Sequence, residues 1–152
     1  MGLAATACSS DPQRALVPQP PMLLAADPGC ALYVGGVYGN DEMGVRLVLC
    51  AAAPTVAPAP GAPPPPTVTG TIQYISPLSG WSVRRVAGGL DPAGNLVLAD
   101  TLFVEQHPSI EFQMCLVERY TLRMSNDGVV DGEYISTPCH DHARIALERA
   151  VQ

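Results

Sequence analysis

Residues 30–50 read CALYVGGVYGNDEMGVRLVLC, and residues 115–139 read CLVERYTLRMSNDGVVDGEYISTPC. Each stretch is closed by two cysteines placed at equal distances from a turn. Cys30 and Cys50 flank Asn40 symmetrically, and Cys115 and Cys139 flank Asp127. Asn, Asp and Gly at the two centres are turn formers, because they bond their own backbone or tolerate positive φ. If the chain folds back there, each cysteine pair faces itself across a β-hairpin. Opposed strand residues have Cα atoms roughly 4.5–5.5 Å apart, which a disulfide tolerates. The pattern therefore predicts Cys30–Cys50 and Cys115–Cys139 bridges, an antiparallel β-fold and an oxidising compartment.

The second hairpin offers a check that does not use sulfur. Centring on Asp127 places Tyr120 opposite Tyr134 and Met124 opposite Val130 on one face. Arg123 then meets Asp131, and Thr121 meets Glu133, on the other. Apolar pairs with apolar and opposite charges pair, as cross-strand energetics prefer. From Ile110 to Met124 alternate residues are apolar with one exception, Glu118, a period of 2 rather than 3.6. That run predicts a long strand divided by a bulge near Glu118, which would turn the cysteines inward; otherwise the bridge sits on the surface.

Further strands are expected at Val68–Tyr74, Trp81–Val86, Leu96–Val104, Val129–Ile135 and Ala143–Val151, separated by turns at residues 76–80 and 91–95. The last segment also has good helix formers and admits a short helix. Glycines at 35, 36 and 44 suggest a bulge or close backbone packing in the first hairpin. The chain divides into a tether over 1–28, where Met22, Leu23 and Leu24 could dock, a β-hairpin over 29–50, a Pro-rich linker over 51–67 and an antiparallel β domain over 68–152. The linker contains Pro63–Pro66 and reads as a stiff polyproline spacer of at most about 50 Å. The fold class is all-β: a small antiparallel barrel or sandwich, stapled because so short a domain buries little surface. Closing loops of 20–25 residues stabilises by roughly 3–3.5 kcal/mol on the chain-entropy account.

Composition removes several functions. Net charge is −6, all eight basic residues are arginine, and only Arg84 and Arg85 are adjacent. An anionic chain without a basic face is a poor partner for nucleic acid or anionic headgroups. Without lysine there is no Schiff base and no P-loop. No run approaches the ~18 apolar residues of a spanning helix. No nucleophile elbow, dinucleotide fingerprint or zinc-protease helix occurs. No enzyme activity and no cofactor are expected. His140 and His142 are the densest metal-capable pair; in an extended segment they would share a face, with His107 or Glu133 to complete a site. Two ligands do not make a zinc site, and no metal is expected.

Two resemblances bear on the address and the function. Ala5-Thr6-Ala7-Cys8, followed by Ser9 and Ser10, resembles the cleavage region of a bacterial lipoprotein signal. That implies lipidation of Cys8, the cysteine left over from two pairs, and an anchor that does not span the membrane. Ser9 and Ser10 after it imply an outer-membrane destination. Gly80-Trp81 at a strand start resembles the opening of lipocalin barrels, with the two residues adjacent instead of one apart. The expected protein is a non-enzymatic β-domain of the bacterial cell envelope, outer-membrane-anchored or extracellular, acting through a protein partner or self-assembly at the surface. The alternative is a small hydrophobic-ligand carrier with a lipocalin-like cavity lined by Trp81, Phe112, Met114, Tyr120 and Tyr134.

Overall fold

A computed structural model of the 152-residue chain describes residues 18–39, 41–54, 56–109 and 113–151. They form eight antiparallel strands: β1 Cys30–Tyr38, β2 Met43–Ala51, β3 Val68–Ser76, β4 Gly80–Leu90, β5 Leu96–Pro108, β6 Arg119–Met124, β7 Val129–Ser136 and β8 Asp141–Arg149. Each strand pairs with its sequence neighbour, and β1 pairs with β8, so the sheet closes into a barrel. Of the two architectures expected, the barrel is the one formed.

Both hairpin registers follow the turn symmetry. Cys30 opposes Cys50 in β1–β2, and Tyr120 opposes Tyr134 in β6–β7. The first hairpin is no separate unit: β1 pairs along its other edge with β8, and β2 with β3. A two-stranded hairpin is marginal alone, and here it closes the sheet. Residues 51–67 are correspondingly not a spacer between bodies. β2 and β3 are ladder neighbours from Gly44–Ile75 to Ala51–Val68, and Ala52 N donates to Thr67 O at 2.9 Å. The Pro-rich segment is a long loop whose two ends are held together.

The segment read as a helix or strand at the C-terminus is strand β8, because it must supply partners to both β7 and β1. The long strand expected from Ile110 is shorter than its alternation suggests. Its ladder begins at Arg119, and Ile110 to Phe112 lie outside the described residues. Residues 113–118 run beside the barrel through isolated bonds, such as Asp100 N to Val117 O and Glu118 N to Ile135 O.

Alternate residues of every strand fill the interior; Leu47, Leu122, Val130 and Ile145 are wholly buried there. Gly35 and Gly132 share this inward face, being opposite Val45 and Leu122. A Cβ on Gly35 would overlap the Ala146 carbonyl oxygen, and one on Gly132 the Thr121 carbonyl oxygen. Glycine at these points lets the strands coil tightly enough to close.

The two ends differ. At one, the connections are 52–67, 91–95 and 125–128. At the other, here called the mouth, they are 39–42, 77–79, 109–118 and 137–140. Near the mouth, β5 leaves β6: its residues 96–98 pair with β6, and two register shifts against β4 carry it outward. Among the described residues, no strand pairs with the second edge of Thr101–Pro108.

Candidate binding site at the barrel mouth

Five inward side chains from five strands meet just below the mouth. Tyr74 of β3 donates its hydroxyl to Tyr120 of β6 at 2.8 Å, and Tyr120 donates to Asp100 Oδ1 of β5 at 2.9 Å. Arg84 of β4 places Nη1 2.9 Å from Asp100 Oδ2, which also accepts the Val117 N–H at 2.7 Å. The guanidinium lies 4.7 Å from the Tyr74 ring centroid and 5.1 Å from that of Phe103. Its Nε donates to Ser82 Oγ. Tyr134 of β7 donates to Asp141 Oδ2 at 2.6 Å. Asp100 faces inward beside Val86 by the same alternation as Leu96 and Leu98, and the extra residue that follows it, Thr101, brings Phe103 opposite Arg84.

Above this floor is an open basin of about 710 Å³. Asp41 stands on its rim, accepting hydroxyl protons from Ser76 and Ser79. Met43, Leu78, Met114 and Val117 supply apolar wall, and Asp141 and His140 complete the rim. The Cys115–Cys139 bridge, with Cα atoms 5.9 Å apart, ties the 113–118 segment to the 137–140 turn. Two walls of the basin are thereby fixed to each other. Cys30–Cys50, with Cα atoms 4.3 Å apart, staples the opposite end. Two such bonds belong to an oxidising, non-cytoplasmic compartment.

Electrostatics keep the floor neutral outside its one ion pair. Burial, with the nearby Asp100 carboxylate, pushes the Tyr74 hydroxyl up; burial and the Tyr74 hydroxyl push Tyr120 up; burial and the bond to Asp141 raise Tyr134. Burial alone would lower the Arg84 guanidinium, but Tyr74 and Asp100 outweigh it and raise it. All three tyrosines thus ionise less readily folded than unfolded. Above the ordinary tyrosine pKa of about 10, the unfolded chain releases protons that the native state retains. Stability is therefore full below that pH and declines as pH rises past it. Urea midpoints measured from about pH 8 to about pH 11 should fall, with a shallower fall for Tyr74→Phe. A flat profile would remove the buried-phenol account.

Among the described residues, Arg84 Nη2 has no hydrogen-bond partner, although the guanidinium lines the basin. The site therefore offers donors at its floor and carboxylate acceptors at its rim, between apolar walls. Such a basin suits capture of a small amphipathic group.

The residues expected to line a carrier cavity are dispersed. Tyr120 and Tyr134 face inward and pack in the core, Tyr134 and Met114 also line the basin, and Phe112 lies outside the described residues. Trp81 is buried on the outer surface, opposite His107, with ring centroids 4.5 Å apart. It alternates with inward Ser82 and Arg84, so it does not line a lumen. The metal candidates also part. His140 sits in the turn before β8 with φ 51°, which breaks the extended geometry needed to align it with His142. His140 borders the basin, whereas His142 is on the outer face with Glu133. His107 bonds Glu105 on the far side of β5. Among the described residues no three metal-capable side chains converge. Cys8 lies outside the described residues. Sequence reading missed the Arg84–Asp100 pair, whose one signal was two adjacent arginines in one strand, which must face opposite sides of the sheet.

Comparison with known proteins gives no match among family models, curated proteins or solved structures.

Proposed function

We propose that this barrel is a non-enzymatic binding module of the bacterial cell envelope, held there by a lipid on Cys8 and acting on a protein partner. The observation that carries the interaction role is the uncovered edge of β5. Over Thr101–Pro108 its outward N–H and C=O groups meet no strand among the described residues, and Leu102 and Val104 are half-exposed beside them. Such an edge accepts an added strand from a partner. The two bulges break it into short windows, which restricts pairing to a matching segment. The floor of the mouth supports a binding role over a catalytic one. Asp100 is committed to three donors, and the tyrosines are held neutral.

The tether fits this placement. Pro18 lies against Trp81 near the mouth, where β4 begins, and stands ten positions after Cys8. That length spans at most about 36 Å extended. A lipid on Cys8 would keep the mouth end near the membrane surface, and a net charge of −6 disfavours nucleic acid as the partner. A photo-crosslinking residue at Val104 should yield a discrete protein adduct in intact envelopes, whereas one at Leu90, exposed at the other end, should not. Intact mass of the native protein should show a lipid on Cys8 and two disulfides. Equal labelling at both positions and an unmodified Cys8 would overturn the reading. The second reading, a small-ligand carrier, is favoured by the basin and the free Nη2 donors of Arg84; a molecule that copurifies and is lost in Arg84→Met would support it.

A further inference from the structure

Residues 18–24 form a strap across the outer surface of β2, β3 and β4. Three side chains hold it, and all three donate to strap carbonyls. Trp81 Nε1 bonds Pro18 O at 2.6 Å, Gln73 Nε2 bonds Pro21 O at 2.6 Å, and Arg46 Nε bonds Leu23 O at 2.9 Å. The donors lie on one diagonal of the sheet: Arg46 is opposite Gln73, and Gln73 is opposite Val83, two residues beyond Trp81. This contact reads backbone rather than side chains. Of the strap's own side chains, Pro20 and Leu23 are half-buried, whereas Met22 and Leu24 remain mostly exposed.

Two features show the strap to be an imperfect occupant. Gln73 is wholly buried, yet its Oε1 has no hydrogen-bond partner. The amide cannot be turned to cure this, because Pro21 O only accepts and must face the nitrogen. An extended residue presents its own N–H and C=O on one edge, which a side-chain amide can engage together. Pro21 supplies the carbonyl and has no N–H. Beside the strap, a groove of about 380 Å³ bounded by Val83, Val104 and Glu105 is left unfilled.

We propose that this outer face is a docking surface for an extended peptide segment of a partner protein, carrying an ordinary amide where the strap has Pro21 and an apolar side chain beside it. The chain's own strap is a resident, displaceable cover. The surface adjoins the β5 edge at Val104 and Glu105, but its three donors belong to β2, β3 and β4, so it stands whether or not that edge or the mouth is used.

Trp81 is the only tryptophan, so its emission and indole N–H signal report the site directly. The full chain is titrated with two synthetic peptides of residues 18–26, one native and one carrying Pro21→Ala. Satisfying a buried acceptor should make the Pro21→Ala peptide bind about fivefold or more tightly than the native one. Gln73→Leu in the full chain should erase that difference. Placing Pro21→Ala in the full chain itself should tighten its own strap and weaken capture of either peptide; this substitution is on the surface and leaves the barrel intact. Equal affinities for the two peptides, or an unchanged Trp81 signal with both, would overturn the proposal. So would inert peptides with a concentration-dependent dimer, which would assign the face to a second copy's strap.

Discussion

Replacing Asp100 by alanine is expected to destabilise the barrel by about 3–5 kcal/mol, the cost of leaving a buried charge without its partner. The Asp100 side chain is fully buried and that of Arg84 is 9 % exposed. The carboxylate serves Arg84, the Tyr120 hydroxyl and the Val117 amide at once. Alanine strands all three. Asp100→Asn keeps shape and some acceptance but removes the anion, and should cost less. The double variant Arg84→Met, Asp100→Leu removes both charges and should recover much of the loss, since desolvating an ion pair roughly cancels its attraction. A domain with about 5–15 kcal/mol in total would show this plainly in urea unfolding. An Asp100→Ala protein as stable as the parent would mean that water reaches the pair and screens it.

The two disulfides should carry a similar share of stability but different shares of function. They close loops with sequence separations of 20 and 24, so each serine pair, Cys30→Ser with Cys50→Ser or Cys115→Ser with Cys139→Ser, is expected to cost about 3 kcal/mol. Removing both approaches the whole stability of a marginal domain. Cys30–Cys50 joins strands that the β1–β2 ladder already pairs, at the end away from the mouth. Cys115–Cys139 joins a segment outside the ladder to a turn, and both form wall of the basin. Ligand or partner binding at the mouth should therefore weaken with the second pair and survive loss of the first. Unfolding midpoints with and without reductant test the energetic half. Identical midpoints would show that the bonds constrain nothing beyond what the ladders hold.

Much of this architecture is legible locally. The hairpin about Asp127 is encoded by Ser125–Gly128, where Gly128 takes φ 86°, and by apolar–apolar and charge–charge pairs that agree on one register. The Asp91–Asn95 turn is similarly self-contained, with Asp91 accepting the Ala93 and Asn95 amides. The alternation from Ile110 was misleading because it spans a change of environment. Val117 packs into the core from an irregular segment, and only from Arg119 does a ladder form. The mouth was less legible still. Arg84 and Asp100 are 16 residues apart on different strands, and Asp100 stands opposite Val86 rather than Arg84, so the contact is diagonal and no directly opposed pair announces it.

By itself, then, the sequence determined most of the strands, the two turn-centred registers and the cysteine pairing, because turn chemistry and period-2 alternation act between residues close along the chain. Only the tertiary structure decided that β1 meets β8, that the Pro-rich stretch is a pinned loop, that Trp81 faces outward under residues 18–24, and that Arg84 finds Asp100. Those outcomes depend on contacts between segments that neither a turn nor strand alternation ties to each other.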